Sequence, residues 1–278
     1  MNDGDVHVVS VKIGFINVRD IIVKKVAELS VIVLLSVLSG CGHLSAFAKS
    51  EVGAPWEVSI AMPMYYGAKV IDIYGINTSE NWTVSLIGLQ QAGNHNVDVR
   101  YVRKFFSPQQ YDGLGIILSS LVNGHAIQPG GTFVPPNIIY VKWISLYDNT
   151  LYYTKIDLSE NVRKFMMHQN YAKGRKSPYY INSIVLGFLP NGNIKVWLYG
   201  YSRYVYIKEQ NPEQKIKDKV VGEYDPKKYK DIIKYIKDKA IKNGVDIIPV
   251  RWEKVNKVTV EGSSTVENFS DIDEALYM

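Results

Sequence analysis

The residues best placed for chemistry in this chain are Leu38-Ser39-Gly40-Cys41, because Cys41 is the only cysteine among 278 residues. It ends an apolar run, Leu29 to Leu38, that Lys24 and Lys25 precede. A positive segment, a short apolar segment and small residues before a cleavage point describe a secretory signal peptide, too short and wrongly flanked to span a membrane. Elsewhere the chain offers little. Of the histidines, His95, His125 and His168 fall in the folded part, none at the spacing of a helical zinc motif, and all three read as ordinary polar residues. There is no Gly-x-Ser-x-Gly elbow, Walker loop or dinucleotide loop. Asp72, Asp157 and Glu160 are available for acid–base work, but carboxylates on half-exposed strands are usually solvated. The expectation is a protein that is not an enzyme and needs no metal or cofactor.

Leu38-Ser39-Gly40-Cys41 resembles the lipobox of bacterial lipoproteins. That resemblance implies cleavage before Cys41 and a diacylglyceryl group on its sulfur. With Gly42 rather than aspartate next, it also implies sorting to the periplasmic face of an outer membrane. The residues ahead of Lys24 carry no targeting logic, and Val23-Lys24-Lys25 reads as an alternative start. N-terminal sequencing of the precursor separates the two. Without residues 1–40 the chain keeps 28 Lys and Arg against 23 Asp and Glu. With the lone thiol taken up by the lipid, the fold must hold without a disulfide.

Tyrosine is the other conspicuous type, with 20 copies. Tyr and Arg dominate binding surfaces, although Tyr is equally at home in sheets. Between Tyr199 and Tyr206, strict alternation would put Tyr199, Tyr201 and Arg203 on one face, a candidate partner-binding cluster. Residues 208–257 are the densest in charge, with 14 basic and nine acidic groups, while the last 21 residues carry five acids and no base. The bland reading of the lysine-rich stretch, a solvated helix face of mixed sign, is preferred over a docking surface.

The elements that must position these residues follow from periodicity. Period-two alternation predicts strands at 56–62, 69–74 and 82–87. Residues 138–147 and 151–157 flank Asp148-Asn149-Thr150, and 183–189 and 194–199 flank Pro190-Asn191-Gly192-Asn193; both pairs read as hairpins. Ser159 caps a helix through Met167. Asp225-Pro226 opens a longer one that Asn243-Gly244 closes, with Tyr229, Ile232, Ile233, Ile236, Ala240 and Ile241 on one face. Closing strands are expected at 245–252 and 257–260. Residues 88–137, broken by glycines, are expected as an insertion, with 114–122 either a short helix or a buried strand. The predicted fold is α+β, a mainly antiparallel, sandwich-like β-sheet domain with a few packed helices. Its organisation is a signal peptide over 1–40, a lipidated tether over 41–55, one domain over 56–262 and an acidic flexible tail over 263–278.

The order of the mature segments carries a second resemblance. Trp56-Glu-Val, Pro63-Met-Tyr-Tyr66, Tyr74-Gly-Ile-Asn77, Pro136-Asn-Ile-Ile-Tyr-Val-Lys-Trp143, Tyr152-Tyr-Thr-Lys-Ile-Asp-Leu158 and Gly187 to Leu198 follow the lipobox in turn. Over roughly residues 56–207 the chain resembles the bacterial lipoproteins of the DUF2931 family. No catalytic residue carries over. The resemblance implies a small protein-binding lipoprotein, some relatives of which stand beside type VI secretion lipases, so that immunity against an effector lipase is one expected role. The alternative is a structural or assembly lipoprotein of the envelope. The expected partners are a membrane, through the lipid anchor, and a protein, either an effector lipase or an envelope component, with no nucleic acid.

Overall fold

The computed structural model describes residues 55–86, 99–106, 111–119, 124–127, 134–174 and 176–277, all within one compact unit, Ser50–Met278. In chain order the elements are β1 (Glu57–Ala61), β2 (Ala68–Asn77), β3 (Trp82–Ser85), α1 (Val99–Val102), β4 (Ile116–Leu118), β5 (Gly124–Ile127), β6 (Ile138–Ser145) and β7 (Thr150–Asp157). They continue with α2 (Glu160–Met167), β8 (Ser183–Phe188), β9 (Ile194–Gly200), β10 (Arg203–Gln210), β11 (Gln214–Lys217), α3 (Lys230–Lys242), α4 (Trp252–Val255), β12 (Val258–Val260) and β13 (Thr265–Asn268). The strands form a six-stranded sheet, β13-β10-β9-β8-β1-β5, a five-stranded sheet, β11-β7-β6-β2-β3, and the pair β12-β4. The five-stranded sheet is antiparallel throughout. The six-stranded sheet is mixed, because β1 runs parallel to β8 and β10 parallel to β13.

Alternation explains how the sheets face each other. Ile139, Val141 and Trp143 of β6 and Ile184, Leu186 and Phe188 of β8 enter one shared buried cluster, as period-two side chains on facing sheets must. This is the sandwich core, and the protein is an α+β, sandwich-like fold. A second cluster covers the opposite face of the six-stranded sheet, joining Val185, Trp197 and Tyr204 to Ile116, Ile233, Ile236 and Ala240. Strand β8 is therefore buried at all six positions, which is why it reads as a continuous apolar run and not as an alternation.

Local signals fix the boundaries. The Ser159 hydroxyl accepts from the Val162 N–H at 3.3 Å and opens α2, while Asp225 accepts from the Lys227 N–H at 2.9 Å ahead of the 3₁₀ turn that leads into α3. Gly192 turns the β8–β9 hairpin with φ at +99°, a conformation glycine adopts without a Cβ clash. On α3, Ile233, Ile236 and Ala240 are buried as expected, but Ile241 is 73% exposed.

Three expectations need correction. Residues 245–252 form no strand, because Pro249 has no N–H for a ladder. Up to Arg251 the segment is instead a loop, held by the Tyr66 hydroxyl, which donates to the Ile247 carbonyl at 2.9 Å, and by Arg251, which donates to the Asp246 carbonyl at 2.7 Å, and Trp252 opens α4. The acidic segment 263–278, expected as a flexible tail, adds β13 to the six-stranded sheet, and Tyr277 is buried against Phe165 and Phe269. Its apolar residues, not its net charge, decide its place. Finally, the region expected as an insertion supplies α1, β4 and the edge strand β5 of the six-stranded sheet; of the two alternatives for 114–122 the buried strand is the one observed, at 116–118, paired with β12.

Candidate functional site

Cys41 and the lipobox residues Leu38, Ser39 and Gly40 lie outside the described residues. The structure does place Tyr199, Tyr201 and Arg203, and it divides them. Strand β9 ends at Gly200 and β10 starts at Arg203, so Tyr201 and Ser202 are a two-residue turn, with φ of +50° and +60°. This left-handed pair matches the twist of a tight hairpin. The alternation assumed across 199–206 therefore restarts at the turn. Tyr199 pairs across the hairpin with Tyr204, their rings stacked at 4.3 Å on the second-core face. Trp197 and Tyr206 extend that face, with ring centroids 5.8 Å apart.

Tyr201 and Arg203 meet a residue that spacing did not reveal. The half-exposed Tyr201 ring stacks on Tyr179 at 4.5 Å. Arg203 bonds to Tyr179 and to the Glu267 carboxylate of β13, donating through Nε at 2.9 Å and Nη2 at 2.6 Å. Burial works against the Arg203 charge, but these hydrogen bonds more than offset it and hold the guanidinium firmly protonated. The result is a half-exposed aromatic ring at a tight turn, backed by a second ring and a paired cation. Such a group offers large contact area with little entropy to lose. The contacts of Tyr179 and Glu267 with the hairpin escaped notice because neither residue lies near it in sequence.

A second feature is an open cleft of about 500 Å³ lined by Lys69, Val70, Ile71, Glu223, Lys228 and Tyr229. It lies beside the bulge that interrupts the β2–β6 register between Val70 and Asp72. The Lys69 ammonium stands 5.5 Å from the Tyr229 ring centroid. Two cations beside one carboxylate suit the cleft to an anionic group. No spacing joins Lys69 to Lys228, so only the fold reveals it.

The candidate acid–base residues do not converge. Asp72 is exposed on β2, Asp157 pairs with Lys155 at 3.0 Å, and Glu160 pairs with Lys164 at 3.2 Å. His168 follows α2 as its C-cap, the backbone of His125 sits opposite Ser59 in β5, and His95 lies outside the described residues. Among the described residues no group of three His, Cys, Asp or Glu could hold a metal ion, and no helix is long and apolar enough to cross a membrane.

Residues 48–247 match the family described as protein of unknown function (DUF2931). The chain belongs to this family. The DUF2931 region starts ahead of β1 and runs beyond residue 207, where the sequence resemblance stopped, to take in the whole lysine-rich helix α3. It ends before Ile248, so α4, β12 and β13 lie past it. The hairpin, Tyr179 and every residue lining the cleft fall inside it, whereas Glu267 does not. No curated protein and no solved structure matches the chain.

Proposed function

We propose that this DUF2931 protein is a lipid-anchored protein-binding module on the periplasmic face of the outer membrane, with an incoming effector lipase as its partner. The observation that carries the binding reading is the half-exposed Tyr201 ring, stacked at 4.5 Å on Tyr179 beside the Arg203–Glu267 pair. Aromatic and arginine side chains already held in place pay little ordering cost on association and are the types that dominate binding energy. The anchor rests on Leu38-Ser39-Gly40-Cys41, and the lipase on the company that relatives keep.

The test is titration of the purified chain against the products of its neighbouring genes. Tight stoichiometric binding that silences a lipase is expected, with Tyr201→Ala weakening it by about tenfold or more, in the range of an interface hot spot. Failure of every neighbour to bind would instead favour an assembly lipoprotein with a partner in its own envelope. Metabolic labelling with palmitate checks the anchor separately: the natural chain should take up label and Cys41→Ser should not.

A further inference from the structure

Positive charge in this chain is concentrated in two segments. Residues 99–106 and 225–257 together carry 13 Lys and Arg against five Asp and Glu, a larger surplus than the +5 of the whole chain. The two segments share the second core, where Val99, Val102 and Phe106 join Ile233, Ile236 and Val255. Lys254 bridges to Asp112 at 2.9 Å. Burial pushes the Asp112 carboxyl up, yet Lys254, the Leu114 N–H and the Arg251 charge hold it below its ordinary value. Arg103 acts in turn on the adjoining Tyr111. The loop after α3 also folds back beside the helix. Lys237 lies over Tyr147 at 5.8 Å, Tyr147 packs edge-on to Tyr66, and the Tyr66 hydroxyl reaches the Ile247 carbonyl.

Set among these cations are six large apolar side chains that the fold leaves outside: Tyr101, Phe105, Tyr235, Ile241, Ile248 and Trp252, between 39% and 73% exposed. A partner protein of matching charge calls for a central apolar patch ringed by polar residues. Here Tyr101 and Phe105 touch, at 5.3 Å between ring centroids, and the Lys104 and Lys239 ammonium groups lie over the Tyr101 and Tyr235 rings, each 5.9 Å from the centroid. Scattered aliphatic and aromatic side chains among cations are what an anionic bilayer surface receives. The apolar groups enter the boundary of the acyl chains while ammonium groups stay at the phosphates.

We propose that this face, built by α1, α3 and the loop into α4, docks on the surface of an anionic lipid membrane. The contact does not depend on lipid at Cys41, and the test removes that lipid. Residues 50–278 contain both buried clusters complete and form their own compact unit, so they are used alone. The measurement is sedimentation with phosphatidylcholine vesicles, with and without phosphatidylglycerol. Binding is expected only with phosphatidylglycerol and should weaken as salt rises. Lys230→Gln and Lys234→Gln should each cost about fivefold, the factor that corresponds to about 1 kcal/mol per cation near an anionic leaflet. Ile241→Ser should also weaken it, with melting temperature and circular dichroism unchanged in all three. Absence of sedimentation at low salt would overturn the proposal, as would equal binding by the lysine variants. So would binding to soluble polyglutamate as tight as to vesicles with Ile241→Ser without effect, because that would make the occupant an acidic polypeptide.

Discussion

Gly200 shows how closely the candidate hairpin is built. A Cβ at this position would fall against the Tyr180 carbonyl oxygen and the Ile181 Cα, both backbone atoms that cannot swing aside. Gly200→Ala is therefore expected to cost about 2–3 kcal/mol, as overpacking does, lowering the melting temperature by roughly 4–12 °C at about 2–4 °C per kcal/mol for a chain of this size. The tyrosines make a second statement at this scale. Burial raises Tyr66, Tyr111, Tyr152 and Tyr204 above the ordinary phenol value, Tyr152 to about 12. A raised acid favours the folded state while it is protonated, so this contribution is whole below pH 10 and is lost as pH climbs above it. Between there and the folded value, each such phenol should steepen the decline by up to about 1.4 kcal/mol per pH unit. Urea unfolding from pH 7 to strongly alkaline conditions checks this, and Tyr204→Phe, which keeps the ring, should make the decline shallower.

Elements are joined here by single side chains that reach far along the chain. Asn149, in the β6–β7 turn with φ at +57°, donates from its amide to the Pro226 carbonyl at 2.8 Å, and the Tyr224 hydroxyl donates back to the Asn149 carbonyl at 2.7 Å. The turn thus fixes where the lysine-rich helix begins. Asn149→Gly keeps the left-handed backbone and should lose only the amide bond, about 1 kcal/mol. Asn149→Ala should lose about 1–2 kcal/mol more for the conformation. Chemical denaturation of the two variants separates the terms, and equal losses would mean that backbone strain has no part. The turn itself was legible in Asp148-Asn149-Thr150, as were both hairpins, the Ser159 cap and the Asp225-Pro226 helix start, because each is written in adjacent residues. The latch to Pro226 was not, nor was Tyr179 beneath Tyr201, since contacts between distant segments leave no local period. The two-residue turn at Tyr201-Ser202 was missed for a different reason. Turns of this kind usually announce themselves with Asn-Gly or Asp-Gly, and an alternation of tyrosines hid it.

At the scale of the molecule, two buried clusters share the six-stranded sheet, and the last sixteen residues close one of them. Strand β13 extends the sheet beyond β10, and its Glu267 supplies the carboxylate that holds Arg203 beneath the hairpin tip. Past it, Phe269 and Tyr277 pack edge-on to Phe165 of α2, with ring centroids 5.6 and 5.4 Å away, and Asn161 donates to Glu274. A segment that composition marks as acidic and solvated is thus a structural clasp, and it couples stability to the proposed binding surface through separable residues. Tyr277→Ala empties a site that is 7% exposed and should cost about 3 kcal/mol, read as a lower melting temperature with the hairpin still able to bind. Glu267→Gln removes the charge partner of a half-exposed arginine and should change stability by less than about 1 kcal/mol, yet it loosens the support of Tyr201 and should weaken partner binding. Ending the chain at Gly262 should do both. Wild-type stability and affinity in that truncated chain would show that the clasp carries neither, and would return the weight of the hairpin to the Tyr179–Tyr201 stack alone.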